Sequence, residues 1–208
     1  MDKMQMLDSV KSYLSQFGAI DVRIIKAMDE VDRINFIEEE YKNEAYEDTA
    51  MPIGLGQTIS QPSTVGRMLS LLELKKGDKV LEIGTGSGWN AVLIDYIIGK
   101  NGMVVTTEII EELIRKSKNV LKRLNIKDVQ ILREDFRNLK EKFDKIIFTA
   151  GIVSDQEHII KEFIKQHLNP NGIAICPNRE GPLIIFKKNE KMKKFFTEES
   201  YIFVPLVL

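Results

Sequence analysis

The sequence predicts an α/β chain: a mostly parallel seven-stranded sheet with helices on both faces. An N-terminal helical appendage precedes it and an antiparallel hairpin closes it. Three observations carry this prediction. Apolar runs of strand length alternate with segments that are apolar at three- and four-residue spacing. The run Val80-Leu81-Glu82-Ile83 breaks at once into Gly84-Thr85-Gly86-Ser87-Gly88, a strand-to-helix turn. The last two strand-like runs have no helical segment between them, so they pair as a hairpin on an otherwise parallel sheet.

Taken in order, residues 5–17 and 21–31 read as helices, with Leu, Val and Ile on one face. Residues 41–62 are irregular and rich in Gly and Pro, too long for a plain connection. Long loops on a rigid scaffold usually carry function. Residues 64–74 form another amphipathic helix. Strands follow at 79–83, 103–107, 129–132, 144–149, 172–176, 182–187 and 200–207, with helices separating the first five. Two of these helices fall at 91–98 and 111–124. The chain divides into 1–62, helices plus loop, and 63–208, expected to behave as one structural unit. There is no internal repeat or low-complexity tract.

With 208 residues, 43% hydrophobic and 29% charged, the composition is that of an ordinary globular chain. The net charge of −1 argues against a nucleic-acid partner. Lys187-Lys188 and Lys191 to Lys194 read as solvated turn faces. Cys176 is the single cysteine, so no internal disulfide forms. Asp2, Lys3, Asp8 and Lys11 interrupt any apolar signal core. No 18-residue apolar run offers a membrane span. A cytoplasmic location and a monomer or weak homo-oligomer are the expectations.

The glycine loop carries the chemistry. Alternate glycines after a buried strand let a ligand lie against bare backbone, because glycine reaches positive φ and has no Cβ. The helix that follows aims its first N–H groups at the same place. A dinucleotide fingerprint needs two residues between its second and third glycines, and a P-loop needs Gly-Lys-Ser/Thr; neither is present. Met103 to Thr107 is a second strand ending in Glu108, some 20 residues beyond the loop, where an acid can accept ribose hydroxyls. The alternative for Glu108 is the start of the next helix, where acids suit the dipole.

Glu82-x-Gly84-x-Gly86-x-Gly88 resembles the first motif of class I S-adenosylmethionine-dependent methyltransferases, which have a Rossmann-like fold. The loop segment is more specific. Pro52-Ile53-Gly54-Leu55-Gly56-Gln57-Thr58-Ile59-Ser60-Gln61-Pro62 resembles the signature of protein-L-isoaspartate (D-aspartate) O-methyltransferases. Val31-Asp32-Arg33-x-x-Phe36 and the closing Phe203-Val204-Pro205-Leu206 match that family in order.

The resemblance implies S-adenosyl-L-methionine as cofactor and isoaspartyl proteins or peptides as partners. It places Ser60 at the boundary of cofactor and substrate, with Gln57, Thr58 and Ile59 shaping the pocket. Cofactor contacts carry over to Glu82, Gly84, Thr85, Gly86, Ser87, Gly88, Glu108, Ile109, Asp135, Phe136 and Thr149; no metal is implied. Ser60 has a second reading, as N-cap of the following helix. Phe136 is either an adenine neighbour or core. Gly54 and Gly56 are either hinges of a lid or plain turn glycines.

A carboxylate acceptor is already ionised at neutral pH. The reaction therefore asks for alignment and exclusion of water rather than a base. Accordingly His158, His167 and Cys176 read as structural. Departures from the family pattern lie on the substrate side. Asp32 replaces Pro, Ser63 replaces His, Asp135 lacks flanking glycines, Thr149-Ala150-Gly151 lacks a later Pro, and Cys176-Pro177-Asn178 replaces Pro-Val-Gly. Another acceptor, RNA or a small acid, and a non-catalytic cofactor-binding module are the competing expectations.

Overall fold

A computed structural model describes residues 1–208. Helices α1 (Lys3–Ser15) and α2 (Val22–Glu30) open the chain, followed by 3-10 turns at Arg33–Phe36 and Glu39–Glu44. A two-stranded hairpin, β1 (Met51–Gly54) and β2 (Gln57–Ile59), leads into α3 (Pro62–Leu72). Then come β3 (Lys79–Ile83), α4 (Trp89–Ile98), β4 (Met103–Glu108), α5 (Glu111–Arg123), β5 (Val129–Arg133), β6 (Phe143–Phe148), α6 (Glu157–His167), β7 (Leu168–Pro177), β8 (Glu180–Lys188) and β9 (Met192–Ile202).

Local chemistry fixes the helix ends. Asp2 and Gln5 form a capping box at α1, and the Asp21 carboxylate accepts the Arg23 N–H at α2. Helix α5 begins with Glu111 and Glu112 and ends with Lys122 and Arg123, complementing its dipole at both ends.

The main sheet runs β5-β4-β3-β6-β7-β8-β9. Its first five strands are parallel, and β8 and β9 are antiparallel additions. One face, with Val80, Val104, Ile147 and Ile175, packs under α1 to α5 in a core of 39 buried residues. The other, with Leu81, Phe143, Ile146 and Phe148, packs under α6 in a core of 18. Strand order reverses between β3 and β6, which opens a crevice at the carboxyl ends of these strands. No helix is long and apolar enough to cross a membrane.

The seven-stranded α/β sheet is as expected, with three corrections. Residues 41–62 are not wholly irregular, because they hold the end of a 3-10 turn and the β1–β2 hairpin. No α-helix separates β5 from β6; a single 3-10 turn at Phe136–Asn138 makes that crossing. The final strand is β9 at 192–202, not 200–207. Pro205 lacks an N–H, and residues 203–206 instead run beside Gly151, whose N–H donates to Val204 O and whose O accepts from Leu206 N. The C-terminal hairpin, β8 with β9, is as expected, and β8 joins the sheet by pairing antiparallel with β7.

Candidate active site

A pocket lies over the carboxyl ends of β3, β4, β5 and β6. Its main walls are Gln57 to Ser60, Glu82 to Ser87, Thr107 to Ile110, Glu134 to Phe136, and Val204 to Val207, with Thr149 and Ala150 from the tip of β6. These segments lie far apart in sequence, and the sheet topology alone brings them together.

The floor is the glycine loop. Gly84, Gly86 and Gly88 all have positive φ. At Gly84 the requirement is steric as well, since an added Cβ would lie 2.3 Å from Thr149 Oγ1. That hydroxyl donates to Gly84 O at 2.6 Å, so Thr149 fastens the loop from β6. Gly88 lies under the loop, at the N-cap of α4.

Two carboxylates flank the floor. Glu82 is wholly buried. It accepts from Asn90 Nδ2 at 2.7 Å and from Thr106 Oγ1 at 2.5 Å. Desolvation pushes its carboxyl up to about 7, helped by neighbouring Glu108 and opposed by those two hydrogen bonds. Glu108 lies between the glycine loop and the next helix. Its Oε2 accepts the Gly86 N–H at 3.1 Å, so it edges the pocket. Its Oε1 accepts the N–H groups of Ile109 and Ile110, at 2.8 and 3.0 Å, ahead of α5.

Asp135 is clamped by Arg137 through both carboxylate oxygens, which holds its carboxyl below the usual range. Phe136 lines the pocket, but its ring is buried edge-on against Phe148 and Phe163, at centroid distances of 5.5 and 4.8 Å. Of its two readings, the core one describes most of its surface. Ile109 is half exposed at the rim.

The hairpin forms the remaining wall. Gln57, Thr58, Ile59 and Ser60 all face the pocket. The capping alternative for Ser60 is corrected: the N-cap of α3 is Gln61, and no side chain caps it. Asp48 serves the helix start from the loop, accepting from Ser63 N at 2.8 Å and from Ser63 Oγ at 2.6 Å. Gly54, Leu55 and Gly56 form the hairpin tip, all at positive φ, and Leu55 is 51% exposed.

Several residues here had no sequence signal of their own. Arg33 is fully buried and donates to the carbonyls of Ala45, Thr49 and Ser60, at 2.6, 2.9 and 3.2 Å. Burial pushes its guanidinium down to about 10, against the favourable charge of Asp48. Lys116 on α5 donates to Glu38 Oε1 at 2.8 Å and to Ile53 O at 3.3 Å, tying the hairpin to the sheet. The matches Val31-Asp32-Arg33 and Phe203 to Leu206 marked these regions without showing what they do.

The groups set aside by the sequence stay outside the pocket. His167 stacks on Phe163 and its Nδ1 lies 2.7 Å from Glu141 O. His158 lies beside Asp155 O. Cys176 is fully buried, and desolvation raises its thiol far out of the nucleophilic range.

Comparisons with known proteins agree with this geometry. The family model for protein-L-isoaspartate(D-aspartate) O-methyltransferase matches residues 4–208. A protein-L-isoaspartate O-methyltransferase of Fervidobacterium nodosum is 39% identical over 195 residues, covering 92% of this chain and 96% of the relative. One of Thermosipho melanesiensis is 36% identical over 201 residues, covering 94% and 98%. A solved protein-L-isoaspartate O-methyltransferase superimposes with TM-score 0.82 at 26% identity, covering 99% of this chain and 66% of its own. A Plasmodium falciparum protein of the same description, solved with S-adenosyl-L-homocysteine, has TM-score 0.80 and 24% identity over 100% of this chain and 99% of its own, and shows the fold.

Proposed function

This chain belongs to the protein-L-isoaspartate(D-aspartate) O-methyltransferase family, and from that premise we propose that it methylates the free α-carboxylate of L-isoaspartyl residues in damaged proteins and peptides, with S-adenosyl-L-methionine as donor. The observation that carries the reading is one pocket joining the hairpin wall Gln57 to Ser60 with the glycine loop and its two acids.

The residues fit that cofactor. Glu108, at the edge of the floor beside Gly86 N–H, suits ribose hydroxyls, and the loop lacks the glycine spacing that seats a pyrophosphate. Glu82, the loop Gly84 to Gly88, Glu108, Ile109, Asp135, Phe136 and Thr149 would hold it, with Gln57, Thr58 and Ile59 closing over it. When bound, the cofactor supplies an electrophilic methyl on a sulfonium sulfur.

The rest is positioning by the chain. The acceptor arrives ionised, so no side chain needs to remove a proton. The Ser60 hydroxyl donates to one carboxylate oxygen and turns the other toward the methyl. Hairpin and C-terminal segment exclude water from the contact. In this reading the protein acts in the cytoplasm as a monomer or weak homo-oligomer. Residues 1–62 supply the acceptor side and 63–208 the donor side.

The test pairs an isoaspartyl peptide with the same peptide carrying normal aspartate, both with methyl-labelled cofactor. Labelling of the isoaspartyl peptide alone is expected. Equal labelling of both would reject the repair reading. No labelling despite tight cofactor binding would point to a binding module.

A further inference from the structure

We propose that Arg33 is a positioning residue for the acceptor: one buried guanidinium braced between the donor loop and the backbone of Ser60 sets where the Ser60 hydroxyl sits. This inference rests on the reading of Ser60 given above.

The guanidinium touches both halves of the site. Its two terminal nitrogens donate to Ala45 O, Thr49 O and Ser60 O and more distantly to Glu47 O at 3.4 Å, four carbonyls spread across the loop that carries the hairpin. Its Cζ lies over the Trp89 ring, 5.5 Å from the centroid. Trp89 directly follows Gly88 and is the first residue of α4. Its indole Nε1 donates to Val31 O at 3.0 Å, two residues before Arg33. The path from donor loop to acceptor hydroxyl is therefore short: Gly88, Trp89, the guanidinium, the Ser60 carbonyl.

A guanidinium suits this task because its donors are coplanar and fixed in direction. Lysine would keep the charge but loses the fork, so it could not reach these carbonyls from fixed directions at once.

A purely structural arginine would change how much protein folds, not how Ser60 contributes once the cofactor is bound. A double-mutant cycle in kcat separates the two cases. Wild type, Ser60→Ala, Arg33→Lys and the double variant are measured at saturating isoaspartyl peptide, per site that binds cofactor by calorimetry. Losing a hydrogen bond to a carboxylate in wild type should cost roughly tenfold or more in kcat. In the Arg33→Lys background the same serine change should cost less than about threefold, with cofactor affinity little altered. Arg33→Gln, neutral but still a donor, repeats the cycle should the lysine variant fold poorly.

An equal serine factor in both backgrounds would overturn the proposal while leaving Ser60 in its role. A Ser60→Ala enzyme with full kcat would overturn the serine reading, and the proposal with it. Trp89 is the single tryptophan of the chain. Its fluorescence should shift in the Arg33 variants that still bind cofactor, and an unchanged spectrum would refute the cation–π contact.

Discussion

Glu82→Gln should change how stability depends on pH, in a direction the structure fixes. The Glu82 side chain is sealed under the pocket floor, and its carboxyl is held near 7, against an ordinary 4.5. The folded protein thus keeps a proton that the unfolded chain gives up. Stability from this group is present at and below pH 4.5 and declines as pH rises toward 7, because the charged form is penalised by burial. Above about pH 7 the group is ionised in both states and the decline stops. At about 1.4 kcal/mol per pH unit, the loss across that window is about 3 kcal/mol. Glutamine keeps the size and removes the titration. It needs one adjustment: the Thr106 hydroxyl, 2.8 Å from Thr85 Oγ1, turns to donate there and accepts from the new amide. Melting both proteins from pH 4.5 to 8 cancels every other titrating group. The wild-type Tm should fall relative to the variant by roughly 6–12 °C over that range, taking 2–4 °C per kcal/mol for a chain of this length. A difference that stays flat, or that rises with pH, would show that Glu82 is charged in the folded state at acid pH and would refute the burial argument.

Other substitutions probe the remaining walls. Gly86→Val puts a branched side chain on the pocket floor, where only Ile53 Cδ1 comes within 4 Å of its Cβ; cofactor affinity by calorimetry should drop about a hundredfold or more, roughly 3 kcal/mol, while the φ of +52° costs stability separately. Gly84→Ala should destabilise the fold itself by about 2 kcal/mol, read by urea denaturation, since its φ is +98° and Thr149 Oγ1 occupies the space. Ser60→Ala should lower kcat while leaving cofactor affinity and folding stability within about 0.5 kcal/mol of wild type, because the serine caps no helix. Lys116→Met should speed cofactor release several-fold in stopped flow by freeing Ile53 O and Glu38, with Tm nearly unchanged for so exposed an ion pair.

The central sheet was legible wherever burial was two-sided. Strand β3 was read at its observed bounds, 79–83, and β4 and β5 to within one residue, because apolar runs there end in a glycine or an acid at the strand tip. Strand β9 was missed because it is an edge. It alternates Lys, Phe and Glu, with Phe195 and Phe196 about half exposed, so its lysines read as a solvated turn. The apolar stretch after it read as the strand instead. The β1–β2 hairpin was missed for a related reason: its strands are four and three residues long, and the tip is Gly-Leu-Gly. Within the site, the glycine loop and both acids were visible because their chemistry is written locally. Arg33, Asp48 and Lys116 were not, since each acts on backbone or side chains 12 to 78 residues away. No period or spacing records such a contact.

The departures on the substrate side take on a different meaning once their contacts are known. Ser63, where the family pattern has His, is buried and bonded twice to Asp48, which thereby fixes the start of α3 just beyond Ser60. Asp32, in place of Pro, caps the 3-10 turn carrying Arg33 and accepts the Tyr46 hydroxyl at 2.9 Å. Asn178 donates to Pro182 O at 2.7 Å and steadies the turn against which Ile152 bridges. Drift that had emptied the acceptor side would leave polar replacements exposed or without partners. Here each is spent on holding backbone next to the pocket, and none points a new charge into it. Ser63 and Asp32 therefore belong to the scaffold that carries Ser60. Any change in acceptor would have to come instead from the rim, where Ile109 and Val207 are exposed and apolar.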